Sequence, residues 1–549
     1  MDIKLNRILT LFLLCISIQL FAVSEYAVDK ASEISLTEKN NSSHLNVYIP
    51  SLPYAYIMRL INGTLVRLSD SPQGWEYYIA YRHKKIDDIT YDFWLRHDVK
   101  FQDGTPLDAD AVVNNFNYFL QGAFTYTDIH HKLKSVKKID NYHIRIQLNE
   151  PYGMLFHDLA RINLYTTEYY KHHKWSKSIT AENTAITGPY GAGPYILVSG
   201  YATGLTQSDT VELKANPYYY EEEKPYIQNL TIYTRKPVEH VIEELANEEG
   251  KMDIAFIPLN KKTEIVNSKY AKLVTIPSTT TLSFHMNLMN PHTPLHDIRI
   301  RQALNQALDQ EKLVKFAYKG EGVISPFPIS SNMPSAYALS KEYTLHPPHS
   351  FSQEELKAIL NGLTLKIITQ DRFLPICKGI EYQLKAYGVT LLYDITSDEK
   401  YVFKKLLTNR ENHFDWDFLI WGNEDWYGHP WATMFTFYTQ NQWSSIDEDN
   451  TLDEYIRTLF TLDKTDNKFI PLVEAILKHL YNQSYMLSIP SPNTVIGMNK
   501  EVDFIPSSVA IMRLWEAKIT PYHWSIRGNK SLPKERLDYQ LPKRLHPNE

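Results

Sequence analysis

An α/β protein with more than one core is the fold class that this sequence predicts, and three features predict it. Tyr91 to Leu120 reads as strand, turn and helix in immediate succession. Leu365 to Thr369, Ile380 to Tyr387 and Val389 to Tyr393 read as strand, helix and strand, the spacing of an α/β layer. A chain of 549 residues, 43% hydrophobic and 22% charged, carries enough apolar side chains for two or more cores.

Met1 to Arg7 carries Lys4 and Arg7, and an apolar run from Ile8 to Val23 follows. This run of sixteen residues, broken only by Thr10, Cys15, Ser17 and Gln19, is short for a bilayer of about 30 Å, and Ala22-Val23-Ser24 supplies the small residues of a cleavage site. Residues 1–24 are therefore expected to be a signal peptide, with the mature chain exported to the periplasm and starting at Glu25. Lipid anchoring at Cys15 is not expected, because Leu14 precedes it where a small residue is wanted and the apolar run continues past it. That leaves Cys377 alone in the mature chain, without an intrachain disulfide.

Leu45 to Ile49 alternates as a strand, and a helix from Tyr54 runs into Asn62-Gly63-Thr64-Leu65. Tyr91, Phe93 and Leu95 alternate with polar or larger neighbours, Asp103-Gly104-Thr105-Pro106 turns the chain, and Asp108 is placed to cap a helix carrying Val112, Phe116 and Phe119 on one face. Val136 to Leu148 reads as two strands around Asp140-Asn141. The glycines of Gly188 to Leu197 cradle no phosphate, since no helix follows them and the chain has no GxxxxGK[ST]. Thr279 to Asn287 alternates as a strand. Asp297 and Asp309 are then placed to cap successive helices, with Arg299 and Arg301 on a solvated face. Ser352 begins another helix, Tyr401 to Leu407 a further one, and Asp415 to Asp425 alternates into a strand ending in acids. Beyond Arg527 the polar, proline-punctuated chain reads as a loosely held tail.

The run Leu95 to Val113, LR-x-x-VKF-x-DGTPL-x-A-x-x-VV, resembles the signature of the family 5 extracellular solute-binding proteins, the oligopeptide, dipeptide and nickel receptors of bacterial ABC importers. Gly193-Pro194-Tyr195, Asn216-Pro217-Tyr218-Tyr219 and the D-x-R-x-RQAL run from Asp297 continue the resemblance in order and spacing. It implies a two-lobed periplasmic-binding-protein (flytrap) fold with hinge strands, lobe I being discontinuous and carrying an extra subdomain. Lobe I is then expected at 25–282, with an inserted subdomain at about 70–175, and lobe II at 283–490. Residues 491–549 return to lobe I and end in the tail, with Ile276 to Phe284 and Ser488 to Val495 as the crossings.

The same resemblance implies a short peptide as ligand, an ABC permease contacted directly with its ATPase, and a monomeric receptor. In peptide-binding members a Trp is followed by an Asp that receives the peptide α-ammonium. Matching from Phe414-Asp415 places Trp421 on that Trp and, allowing one inserted residue, Asp425 on that Asp, with Glu424 as its rival and a solvated turn acid as the plain alternative. Peptide main chain is expected near Asn62, Thr64, Thr281 and Ser283, with Asn493 on the second crossing as a further candidate; Asn62 stands where the family usually has Glu and also reads as a plain turn residue. Phe418 occupies a position where some oligopeptide receptors carry a base, and Arg410 lies earlier.

No HExxH, no GxSxG and no thiolate pair occurs, so no catalytic residue, metal or cofactor is expected and the chain is read as a non-enzyme. Paired histidines such as His130-His131 and His172-His173 read as surface residues. A net charge of −6 with interspersed signs gives no footprint for nucleic acid. A nickel chelate, haem or a saccharide remains the alternative ligand, and an exported hydrolase or sensor on the same fold the alternative class.

Overall fold

The computed structural model describes residues 43–538 apart from 122–128, 173–183, 204–205, 248–250, 277–278, 280, 332, 344–349, 408–414, 424–428, 508–511 and 529. Two large sheets organise it. The first has seven strands in the order Ala271–Ile276, Thr494–Asn499, Ile254–Phe256, His44–Tyr48, Asn229–Tyr233, Thr210–Ala215 and Tyr195–Ser199. Its central strand, His44–Tyr48, is parallel to both neighbours, and the remaining pairs are antiparallel. Leu45 and Val47 on one face of that strand and Asn46 and Tyr48 on the other are all buried, as expected of a strand covered on both faces.

The second sheet orders Thr281–Met286, Phe418–Asn423, Thr364–Gln370 and Thr390–Thr396. The last three are mutually parallel, with helix Leu374–Lys385 connecting Thr364–Gln370 to Thr390–Thr396, which is the strand-helix-strand unit of the sequence. That helix begins earlier than Ile380 because Pro375 sits in its first turn, where proline's missing N–H costs nothing.

Separate cores stand under the two sheets. One gathers buried side chains from Leu45 to Ile276 and from Ile496 to Ala517; the other gathers Leu282 to Ile489. The first core also holds a four-stranded antiparallel sheet, Ala80–Asp87, Thr90–Leu95, His143–Leu148 and Leu133–Asp140, that packs Phe93, Ile144 and Ile146 inward. The molecule is thus a two-lobed α/β protein.

The chain passes from the first lobe to the second between Ile276 and Thr281 and returns ahead of Thr494. The first-lobe strands that flank the two passages lie side by side. Ala271–Ile276 pairs with Thr494–Asn499 in the large sheet, and His285 bridges Met486 in the second lobe. Next to them Gly322–Val323 pairs with Ser491–Pro492.

The motif segments interlock. Gln102, buried inside VKF-Q-DGT, donates its amide to the carbonyls of Ile61 at 2.8 Å and Tyr195 at 2.6 Å, and accepts from the Gly191 N–H at 3.2 Å. Gly191 and Gly193 permit this approach: a Cβ on Gly193 would stand 2.5 Å from the Ile61 carbonyl carbon, and one on Gly191 would collide with the Ile61 carbonyl oxygen. Asn216 of the Asn-Pro pair then donates to the Gly193 carbonyl at 2.9 Å. The glycines are there for backbone-to-backbone packing.

Helix caps fall where the sequence places them. Asp108, Asp297 and Asp309 each accept from a first-turn N–H, and Ser352 forms a full capping box with Glu355. Arg301 departs from expectation. It is buried at 5% exposure, donating to the carbonyls of Leu295 at 2.7 Å, His296 at 3.1 Å and Gln483 at 2.8 Å. It sits on the inner face, where a five-donor guanidinium satisfies the carbonyl ends of two neighbouring segments. The tail also departs, since helix Lys534–Asp538 is pinned by Arg536 to the buried Glu501 at 2.7 Å.

Candidate functional site

The sequence-named residues divide between the two lobes and the returning passage. Asn62 ends helix Pro53–Ile61 and is 3% exposed. Its amide lies 3.5 Å from the Tyr165 hydroxyl, and its Oδ1 is buried with no hydrogen-bond partner among the described residues. Tyr165 is held by Asn115 of the signature helix Ala109–Phe119. Asn115 accepts from the Tyr165 N–H at 2.8 Å and donates to its carbonyl at 2.9 Å. Burial drives the Tyr165 phenol well above its usual range, with Tyr169 and Tyr170 beside it adding to the shift, so it stays protonated.

Thr64 is buried, and its hydroxyl donates to the Val66 carbonyl at 2.6 Å. The carbonyls of Gly63 and Thr64 accept from the Leu164 and Ile79 N–H groups, which leaves those two acceptors engaged within the chain. In the second lobe Thr281 and Ser283 pair in register with Asn423 and Trp421. Thr281–Met286 is the outermost strand of its sheet. Apart from the bridge from His285 to Met486, no ladder occupies its other edge among the described residues. Glu424 and Asp425 follow directly on the end of strand Phe418–Asn423 and lie outside the described residues, as does Arg410. Asn493, on the returning passage, donates its N–H to the Glu321 carbonyl at 3.0 Å and holds a buried Oδ1 without a partner among the described residues. Phe418 is buried in the second core and offers no charge.

A second set of contacts, not foreseen from the sequence, joins the lobes. The Gly153 N–H donates to the Phe460 carbonyl at 2.7 Å, and a side chain on Gly153 would collide with the Leu462 carbonyl. His157, on helix Leu155–Leu159 of the first lobe, meets His429 of the second edge to face, with centroids 5.0 Å apart. Trp431 stacks on Phe435 at 4.8 Å and packs against the core of the first lobe. Beside the returning passage Lys262 donates to the Lys319 carbonyl at 2.6 Å and to Glu321 at 3.1 Å. No motif marks this seam, because its partners are far apart in sequence and meet only when the lobes are in place.

Two lobes joined by paired strands and meeting along a buried seam are the build of a two-lobed solute-binding protein. The comparisons agree. A family model described as bacterial extracellular solute-binding proteins, family 5 Middle, matches residues 75–445. The chain is 25% identical over 273 residues to the glutathione-binding protein GsiB of Salmonella paratyphi A, a match covering 49% of this chain and 50% of the relative. It therefore spans about half the length of the curated relatives it matches. Among solved structures, NikA from Brucella suis in complex with Fe(III)-EDTA superposes with a TM-score of 0.72 at 17% identity, covering 87% of this chain and 100% of that one. The oligopeptide-binding protein AppA from Bacillus subtilis, in complex with a nonapeptide, superposes with a TM-score of 0.66 at 18% identity, covering 87% and 99%. The chain belongs to the family 5 bacterial extracellular solute-binding proteins. That family consists of binding proteins and not enzymes. No helix among the described residues is long and apolar enough to cross a membrane.

Proposed function

We propose that this chain is the receptor of an ABC importer, capturing a short peptide between its closing lobes and delivering it to the permease. The open edge of Thr281–Met286 carries the reading. A peptide main chain adding to that edge would gain sequence-tolerant hydrogen bonds, while its side chains project into hydrated space. The relatives whose names speak of glutathione and of a bound nonapeptide support a peptidic ligand. In this reading Asp425, just beyond the strand end and beside Trp421, receives the peptide's α-ammonium, with Asn62 and Asn493 lending buried carbonyl oxygens. A carboxylate enclosed by closure is costly unless a cation pairs with it, and the ligand supplies that cation. Closure follows because a ligand touching both lobes binds the closed state better than the open one.

The reading includes export, with mature protein beginning at Glu25 and no lipid on Cys15; a diacylglyceryl-cysteine found at the amino terminus refutes that part. The test of the ligand is native mass spectrometry of the purified chain, followed by calorimetry with trialanine to pentaalanine. A co-purified peptide and saturable binding of free oligoalanines are expected. A co-purified metal chelate, the kind of ligand seen in the NikA complex, would displace the peptide reading.

A further inference from the structure

His157 and His429 are both 1% exposed, and they come from different lobes. His429 precedes helix Trp431–Met434, and its Nδ1 accepts the Trp431 backbone N–H at 3.0 Å. An imidazole nitrogen that accepts a hydrogen bond carries no proton, so His429 is neutral here with its proton on Nε2. Its ring also packs on Phe469 with centroids 5.2 Å apart, while neither nitrogen of His157 has a hydrogen-bond partner among the described residues.

We propose that this histidine pair is a proton-sensitive latch: the closed seam accepts it only when both rings are neutral, and acid opens the lobes. Protonating His429 on Nδ1 would remove the acceptor of the Trp431 N–H. Protonating either ring would bury a cation beside the other ring and near Lys464, from the segment between helices Asn450–Leu459 and Phe469–Gln483. Asp158, adjacent to His157, is itself buried and accepts the Tyr152 hydroxyl at 2.6 Å, and Arg161 closes the turn after that helix. Asp463, next to Lys464, acts on His83 and Tyr91. Burial lowers both imidazoles well below their usual value, and Lys464 lowers both further; each ring of an opened seam returns toward the ordinary value.

The sign follows from proton linkage. The open state takes up protons first, so closure is fully favoured above about pH 6.5 and weakens as pH falls below it, by about tenfold per histidine between pH 7.5 and 5.5. The pair together changes the closed-to-open ratio about a hundredfold over that range. The test is solution scattering of the full chain, without added solute, from pH 8 to 5, beside a variant carrying His157→Phe and His429→Asn, the Asn keeping an acceptor for the Trp431 N–H. Expansion on acidification is expected in the parent and not in the double variant. Proton NMR gives a second readout, the His157 and His429 imidazoles being assigned by their loss in the double variant and titrating well below the ordinary histidine value, as buried His285 also does. A radius independent of pH, or both imidazoles titrating at the ordinary value, overturns the latch. Neither readout depends on which solute the cleft holds.

Discussion

The Gly153 N–H reaches the Phe460 carbonyl across the seam at 2.7 Å, and no side chain fits between the two strands of backbone. Gly153→Ala should therefore wedge the seam while leaving each lobe's own core intact. Overpacking of this kind costs about 1–3 kcal/mol. The expected result is a larger radius of gyration at pH 7.5 and weaker solute binding, with unchanged circular dichroism. An unchanged radius would mean that the seam is not what holds the lobes together.

Asp425→Asn keeps shape and an acceptor while removing charge. Free oligoalanines should then bind about 1–3 kcal/mol more weakly, and N-acetylated ones poorly to parent and variant alike. Glu424→Gln is the control. Calorimetry that finds free and acetylated peptides binding to Asp425→Asn as they do to the parent removes the amino-terminus assignment.

Glu221 anchors a half-buried ionic knot. It accepts from Arg67 at 3.0 Å, Lys224 at 2.9 Å and the Tyr219 hydroxyl at 2.9 Å. Burial raises its carboxyl, and Arg67, Lys224 and the Tyr219 hydroxyl more than reverse that, to about 2. A depressed carboxyl stabilises the fold above its unfolded value near 4.5, and that stability is lost as pH falls from there toward 2. Glu221→Gln should lower unfolding free energy at pH 7 by about 2 kcal/mol, and the difference from the parent should shrink in urea titrations below pH 4. A pH-independent difference would assign the loss to packing alone.

Gln102→Ala leaves the Ile61 and Tyr195 carbonyls and the Gly191 N–H without their shared partner. The Ile61 carbonyl keeps the Gly193 N–H at 3.0 Å, and the remaining groups, at about 1–3 kcal/mol for each buried polar group left unsatisfied, make a loss of about 3 kcal/mol the expected result in chemical denaturation. Because Ile61 adjoins Asn62, solute affinity should fall as well. A variant with parental stability would show that water replaces the amide.

What the sequence disclosed was local. Caps at Asp108, Asp297, Asp309 and Ser352 were legible because an N-cap is satisfied within three residues of itself. The fold class was legible because the Leu95 to Val113 run and the glycine-rich Gly193 segment encode one packing unit around Gln102. Arg301 was misread because helical spacing does not reveal that carbonyl ends from Leu295 and Gln483 converge on it. His157 and His429 carried no signal, since each is unremarkable until the other lobe covers it.

Strand Thr494–Asn499 lies between Ile254–Phe256 and Ala271–Ile276, although the whole second lobe separates it from them along the chain. The consequence is temporal. A ribosome makes the whole second lobe before that strand exists, and until it arrives Ala271–Ile276 has no partner through which to join the large sheet. Completion of the first lobe therefore waits until the whole second lobe has been synthesised, and through that interval the nascent chain cannot finish the structure it started.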